Sequence, residues 1–204
     1  MNLNQETENT SIDQVHNLLI DGLRKLYQED YFNIKINVSE RNICARLAMH
    51  LENIMRERDS FNGYFADVEY NRQGKGELKQ VYIEPAKIPI KMVSDLLIQS
   101  RGRARNLLAV EMKKYNNYQA VKSDHERLRE MVMSENKDNR DCIHGTLLGA
   151  FIKYSVKEVL IEYFSEEDPS YNGISEHFRV ETMPKPDANV YSEDDTEQAI
   201  LYQN

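Results

Sequence analysis

Cysteine is scarce in this chain, with Cys44 and Cys142 the two present among 204 residues. A disulfide-stapled secreted scaffold is not indicated, and the sequence reads as one suited to a reducing cytoplasm. Long apolar runs are also missing. No stretch approaches the roughly 18 consecutive apolar residues of a membrane span, so no membrane partner is expected. Residues 1–11 are polar and lack the basic-then-apolar layout of a secretory signal. The five histidines, His16, His50, His125, His144 and His177, share no metal-ligand spacing, and no Cys–His cluster is spaced for zinc. There is no glycine-rich phosphate loop, dinucleotide fingerprint or serine-nucleophile elbow, and no internal repeat.

What is present is a chain with enough apolar residues for a core, 40% hydrophobic, under a well-solvated surface, 29% charged with a mean hydropathy of -0.69. Its length suits one domain with extensions. The net charge of -8 is unevenly spread. Residues 162–204 carry 11 acidic and 2 basic side chains, whereas residues 72–122 carry 11 basic and 4 acidic ones. For a polyanionic ligand the local field outweighs the global sum, so a central segment of net +7 is compatible with nucleic acid.

Periodicity predicts the elements. Ser11 caps a helix to about Gln28, in which Ile12, Val15, Leu18, Leu19, Leu23 and Leu26 recur at helical spacing. Ser39 caps a second, with Ile43, Leu47, Leu51, Ile54 and Met55 on one face, ending near Arg58. Residues 65–70 alternate as a strand, and residues 71–90 form a loop or weak hairpin. Residues 93–99 and 106–113 are apolar strands joined by a basic turn. An amphipathic helix runs from Gln119 to about Glu135. Residues 143–154 read as a strand interrupted by Gly145 and Gly149, and residues 156–164 as a further strand or short helix. The acidic stretch 166–204 reads as loosely attached, with a short helix near residues 197–202. This gives a polar lead and helix over 1–38, a mixed α/β domain over 39–165 and an acidic tail over 166–204.

The chemistry lies in Val93-Ser94-Asp95-Leu96-Leu97-Ile98-Gln99 and Asn106-Leu107-Leu108-Ala109-Val110-Glu111-Met112-Lys113. A hairpin centred on Arg103 sets Asp95 opposite Glu111. Side chains alternate along a strand, so Glu111, Lys113 and Asp95 share one face, while Leu96, Ile98, Leu108, Val110 and Met112 fill the other. Two carboxylates offer hard oxygen ligands to Mg2+ or Mn2+, and an adjacent ammonium offers charge to a reacting phosphate. The same Glu-x-Lys is also read as an ordinary cross-strand charge pair, and Asp95 as a turn or edge residue.

An aspartate, a variable gap, then Glu-x-Lys ending an apolar strand before a helix resembles the PD-(D/E)xK nuclease superfamily, with Ser94 in place of the usual proline. The resemblance covers roughly residues 39–155. It implies a restriction-endonuclease-like fold, a mixed β-sheet flanked by α-helices. It implies a metal-dependent endonuclease acting on DNA, often in defence against foreign DNA, with a homodimer where both strands are cut. Asp95 and Glu111 would be the metal ligands and Lys113 a catalytic group. Glu40, on the first core helix, would support metal-bound water or Lys113, or would simply favour the helix dipole. A catalytically silent nuclease-like binding module is the alternative. An acidic tail that engages a partner protein or mimics nucleic acid is a further one.

Lys114 and Lys122 are the lysines best placed for phosphate near the site, and Arg72 lies in the basic segment. Arg101, Arg103 and Arg105, at the hairpin tip, either grip flanking duplex or keep an exposed hairpin soluble. Asp124, at the opening of the next helix, reads as an N-cap in preference to an outer-shell group. His50, inside a helix, reads as structural.

Overall fold

A computed structural model describes residues 10–69, 72–73, 77–78, 80–83, 88–91, 93–101, 106–133 and 145–180, with backbone alone over the strands between 72 and 91. Helix α1 spans Ile12–Glu29. Ser11 starts it through a capping box, its hydroxyl accepting from Gln14 N while the Gln14 side chain accepts from Ser11 N. A short helix α2, Tyr31–Lys35, follows. Helix α3, Glu40–Arg56, is capped by Ser39, whose side chain accepts from Asn42 N. The expected apolar stripes meet: Val15, Leu18, Leu19, Leu23 and Leu26 of α1 share one core with Ile43, Leu47, Leu51 and Ile54 of α3. Gly22 faces Leu51 and Leu47 of α3. A Cβ there would stand 2.5 Å from Leu51 Cδ2, so a larger residue would force the Leu51 side chain to shift.

A buried charge cluster pins the end of α1 to α3. Asp30, 4% exposed, accepts from Arg46 Nε at 2.6 Å and Asn33 Nδ2 at 3.1 Å, and lies 2.6 Å from His50 Nε2. This satisfies a carboxylate that burial alone would make costly, and it gives His50 the structural place expected of it. The helix within residues 1–38 is thus part of the main core, not an appendage to it.

Among the described residues ten strands follow in chain order. They are β1 Phe65–Val68, β2 Arg72–Gln73, β3 Glu77–Leu78, β4 Gln80–Ile83, β5 Ile88–Lys91, β6 Leu96–Gln99 and β7 Asn106–Lys114, then, after helix α4 Val121–Val132, β8 Thr146–Tyr154, β9 Glu158–Phe164 and β10 Ser175–Arg179. β2 pairs with β3 and β4 with β5, so the segment read as loop or weak hairpin holds two small ladders. The main sheet has the order β1-β6-β7-β8-β9-β10. All neighbours are antiparallel except β7 and β8, which run parallel across the α4 crossover. This is a mixed α/β sheet flanked by helices.

The two faces of β6 and β7 go to different layers. Leu96, Ile98, Leu108, Val110 and Met112 pack toward α1 and α3. Leu97 and Ala109 pack with Leu128, Met131 and Val132 of α4 and with Phe151 and Phe164. The face expected to be polar is therefore apolar except where the motif residues emerge. Gly149, read as an interruption, makes room for α4: a Cβ there would lie 3.2 Å from Val132 Cγ1 and 3.3 Å from Phe164 Cβ.

The expectation of a loose tail from residue 166 fails over its first part. A 3-10 turn, Pro169–Tyr171, and strand β10 extend the sheet. Inward-facing Glu176 accepts from Tyr163 OH at 2.9 Å and lies 3.1 Å from His16 Nε2 of α1. Residues 181–204, with the expected short helix near 197–202, lie outside the described residues. No helix among the described residues is long and apolar enough to cross a membrane.

Candidate functional site

The β6–β7 ladder pairs Leu96 with Val110, Leu97 with Ala109 and Ile98 with Leu108. This is the register expected from a hairpin centred on Arg103, and its next step sets Asp95 against Glu111. Asp95 precedes β6 and is held there by its own backbone. Its carbonyl accepts from Glu69 N at 3.1 Å and from Cys44 Sγ at 3.2 Å. Its Oδ2 accepts from Met112 N at 2.8 Å, the amide that joins Glu111 to Met112. The Asp95 carboxylate is thus fixed against the peptide between the two motif positions of β7.

Glu111 is 1% exposed. Arg127 of α4 donates through Nε to its Oε1 at 3.0 Å, and through Nη2 to Asp124 Oδ1. Lys113 Nζ lies 3.5 Å from Asp124 Oδ2. Two carboxylates and two cations therefore interlock where α4 covers β7, with Asp95 beside them. Burial pushes Glu111 from 4.5 up to about 8, the Arg127 hydrogen bond offsets part of this, and the Asp95 and Asp124 charges add to it. Asp95 is also raised by burial, with the Met112 amide and Lys113 pulling the other way.

Compared with known proteins, the chain matches no protein-family model and no curated protein.

Asp124 corrects the sequence reading. Helix α4 opens after Ala120, at φ 59 and with no side-chain cap. Asp124 is the helix's fourth residue and is 1% exposed. It does not cap; it faces Lys113 and Arg127. Its Oδ2 is buried without a hydrogen bond, so it relies on the Lys113 charge.

Arg127 was not singled out by sequence reasoning. A signal existed, because Asp124 falls on the stripe of Val121, Leu128, Met131 and Val132. A carboxylate at a buried helical position demands a cation, and three residues on is one of the places to look for it.

Glu40 is the first residue of α3, and its Oε1 accepts from Lys114 N at 2.8 Å and Asn117 Nδ2 at 2.9 Å. It ties α3 to the end of β7 and to the turn beyond, one residue past Lys113. Lys114 Nζ donates to Asn37 O at 3.1 Å. Lys122, 92% exposed, is 3.8 Å from Glu126 at the start of α4. Arg101 donates to Asp67 at 3.0 Å and stacks 4.0 Å over the Phe65 ring, so it braces β1 at the far end of β6. Arg103 and Arg105 lie outside the described residues, as does the side chain of Arg72.

The donor set fits a small hard cation in one respect and resists it in another. Asp95 and Glu111 provide oxygen ligands whose mutual repulsion a divalent ion would relieve, while Asp124 is already paired with Arg127 and Lys113. Arg127 occupies Glu111 Oε1 and competes with an ion for it. Among the described residues no group of three or more His, Cys, Asp or Glu is arranged to hold a metal. Mg2+ typically takes one or two carboxylates and completes its shell with water and phosphate.

Proposed function

We propose that this chain is a divalent-metal-dependent nuclease with a restriction-endonuclease-like arrangement, acting on DNA. The observation that carries this reading is the Asp95 carboxylate bonded to the Glu111–Met112 amide. It ties the acidic side chain that precedes β6 to the strand that carries Glu111 and Lys113. Asp95 and Glu111 would hold Mg2+ or Mn2+. The ion supplies neutralisation of charge developing on the phosphate and acidification of water. Lys113, 16% exposed along its side chain, keeps an ammonium at the rim of the site, where it can face a phosphate oxygen. Arg127, bonded to Glu111 Oε1, would share or yield that carboxylate if an ion were held, and would offer a second positive charge at the site. Glu40 holds the turn that follows β7 in place. A homodimer is the simplest way for one such site per chain to cut both strands.

The test is cleavage of plasmid, linear and single-stranded DNA and of RNA in Mg2+, Mn2+ or EDTA. Metal-dependent cutting of DNA supports the reading, and the absence of cutting on every substrate overturns it. One observation favours the second reading, a catalytically silent binding module. The ion pairs Arg127–Glu111 and Lys113–Asp124 already neutralise much of the site. In that case nucleic acid binds without Mg2+ dependence and is not cut.

A further inference from the structure

Lys153 of β8 lies directly across from Lys113 in the parallel ladder, on the order of 5 Å away between backbones. Its Nζ sits 4.5 Å from the centroid of the Tyr118 ring. Tyr118 is 70% exposed, and it is the one aromatic among the exposed large hydrophobic side chains of the described residues. Both lysines face the α4 side of the sheet: Lys113 meets Asp124 of the helix, and Lys153 meets the turn that leads into it.

That turn is fixed. Tyr115 N donates to Tyr154 O at 2.8 Å. Asn117 donates through Nδ2 to Glu40 Oε1 at 2.9 Å, and its Oδ1 accepts from Gln119 N at 3.1 Å. The turn is therefore tied to β8 on one side and α3 on the other, and an exposed ring is held beside Lys153 of β8. Holding it there in advance lowers the ordering cost of a ligand that stacks on it.

A ring 70% exposed, with the Lys153 ammonium against it, suits a flat π-system joined to phosphate. Aromatic stacking with lysines that track the backbone is how single strands are gripped without sequence readout. A base inside a duplex has both faces covered by its neighbours, so an unpaired nucleotide is what such a ring can take. We propose that Tyr118 and Lys153 form a shelf for an unpaired nucleotide next to the site. The base stacks on Tyr118 and its phosphate meets Lys153, so a single-stranded or locally opened segment is the preferred substrate. This rests on the nuclease reading above and deepens it.

The experiment is equilibrium binding in EDTA, where no turnover intervenes. It uses a short oligo-dT single strand and a blunt duplex of equal length, with wild type, Tyr118→Ala, Tyr118→Phe and Lys153→Ala. Tyr118→Ala should lose about tenfold on the single strand and keep its duplex affinity, while Tyr118→Phe binds like wild type because stacking does not need the hydroxyl. Lys153→Ala should weaken single-strand binding and reduce its salt slope by about one. Unchanged single-strand binding by Tyr118→Ala, or an equal loss on the duplex, overturns the shelf and leaves the nuclease reading standing. Wild-type protein that binds neither oligonucleotide overturns the shelf, and the cleavage test in Mg2+ then decides the nuclease reading separately.

Discussion

Arg127 Nε stands 3.0 Å from Glu111 Oε1, so a guanidinium occupies the carboxylate that a divalent ion would need. The same arginine also holds Asp124. Its removal leaves two buried carboxylates short of positive charge. Arg127→Ala should lower stability by about 3 kcal/mol, the lower end for breaking a buried pair. If Mg2+ takes the vacated place, it restores part of that loss. Thermal melts with and without Mg2+ check this: the Mg2+-induced rise in Tm should be larger for Arg127→Ala than for wild type. Equal shifts in the two proteins would mean that arginine and metal do not share a ligand.

Glu111 gives the site a pH dependence with a definite sign. Its ordinary value of 4.5 moves up to about 8 in the folded chain. Between those two values the folded protein keeps a proton that the unfolded chain has released. Stability therefore falls as pH rises through that window and levels off above it. Glu111→Gln cannot titrate, so its Tm should fall less than that of wild type over the same range. Asp95, also raised, adds a fall of the same sign in both proteins. Mg2+ must displace the Glu111 proton, so calorimetric Mg2+ affinity should climb with pH until about 8. An affinity independent of pH would contradict the raised value.

The register of β6 and β7 was legible because two apolar runs lie symmetrically about Arg103 and strand periodicity of two allows one solution that buries them. The stripes of α1, α3 and α4 were legible for the same kind of reason. Strand β10 was not. Its sequence, Ser-Glu-His-Phe-Arg, lies inside the acidic stretch 166–204, and the inward Glu176 becomes acceptable only beside Tyr163 and His16, which the fold brings from β9 and α1. Asp124 was misread because a carboxylate early in a helix usually caps. Here the turn enters α4 through Ala120 and moves Asp124 inside the first turns. The ion-pair lattice around Glu111 depends on α4 crossing over β7, and strand alternation alone carries no information on that.

The acidic residues beyond the last strand should oppose nucleic-acid binding. From Glu181 to Asn204 there are six acidic residues and one basic one. Truncation after Val180 keeps β10 and its Glu176 contacts. It should tighten DNA binding at low salt and steepen its salt dependence, because a competing anion is removed from the basic segment. Filter binding of the truncated and full chains across a salt series checks this. Identical curves would make the segment a solubilising appendage.

The central claim is that Asp95 and Glu111 hold an ion and Lys113 acts on the phosphate. The most direct measurement is the rate of DNA cleavage with Mg2+ and with EDTA for wild type, Asp95→Asn, Glu111→Gln and Lys113→Ala, each accompanied by a thermal melt and an Mg2+ titration. Wild type should cut in Mg2+ alone. Asp95→Asn and Glu111→Gln should lose both cutting and Mg2+ binding while remaining folded. Lys113→Ala should retain Mg2+ binding and lose about 10²–10³-fold in turnover. Cleavage by wild type in EDTA, or full activity in folded Asp95→Asn or Glu111→Gln, would contradict the account.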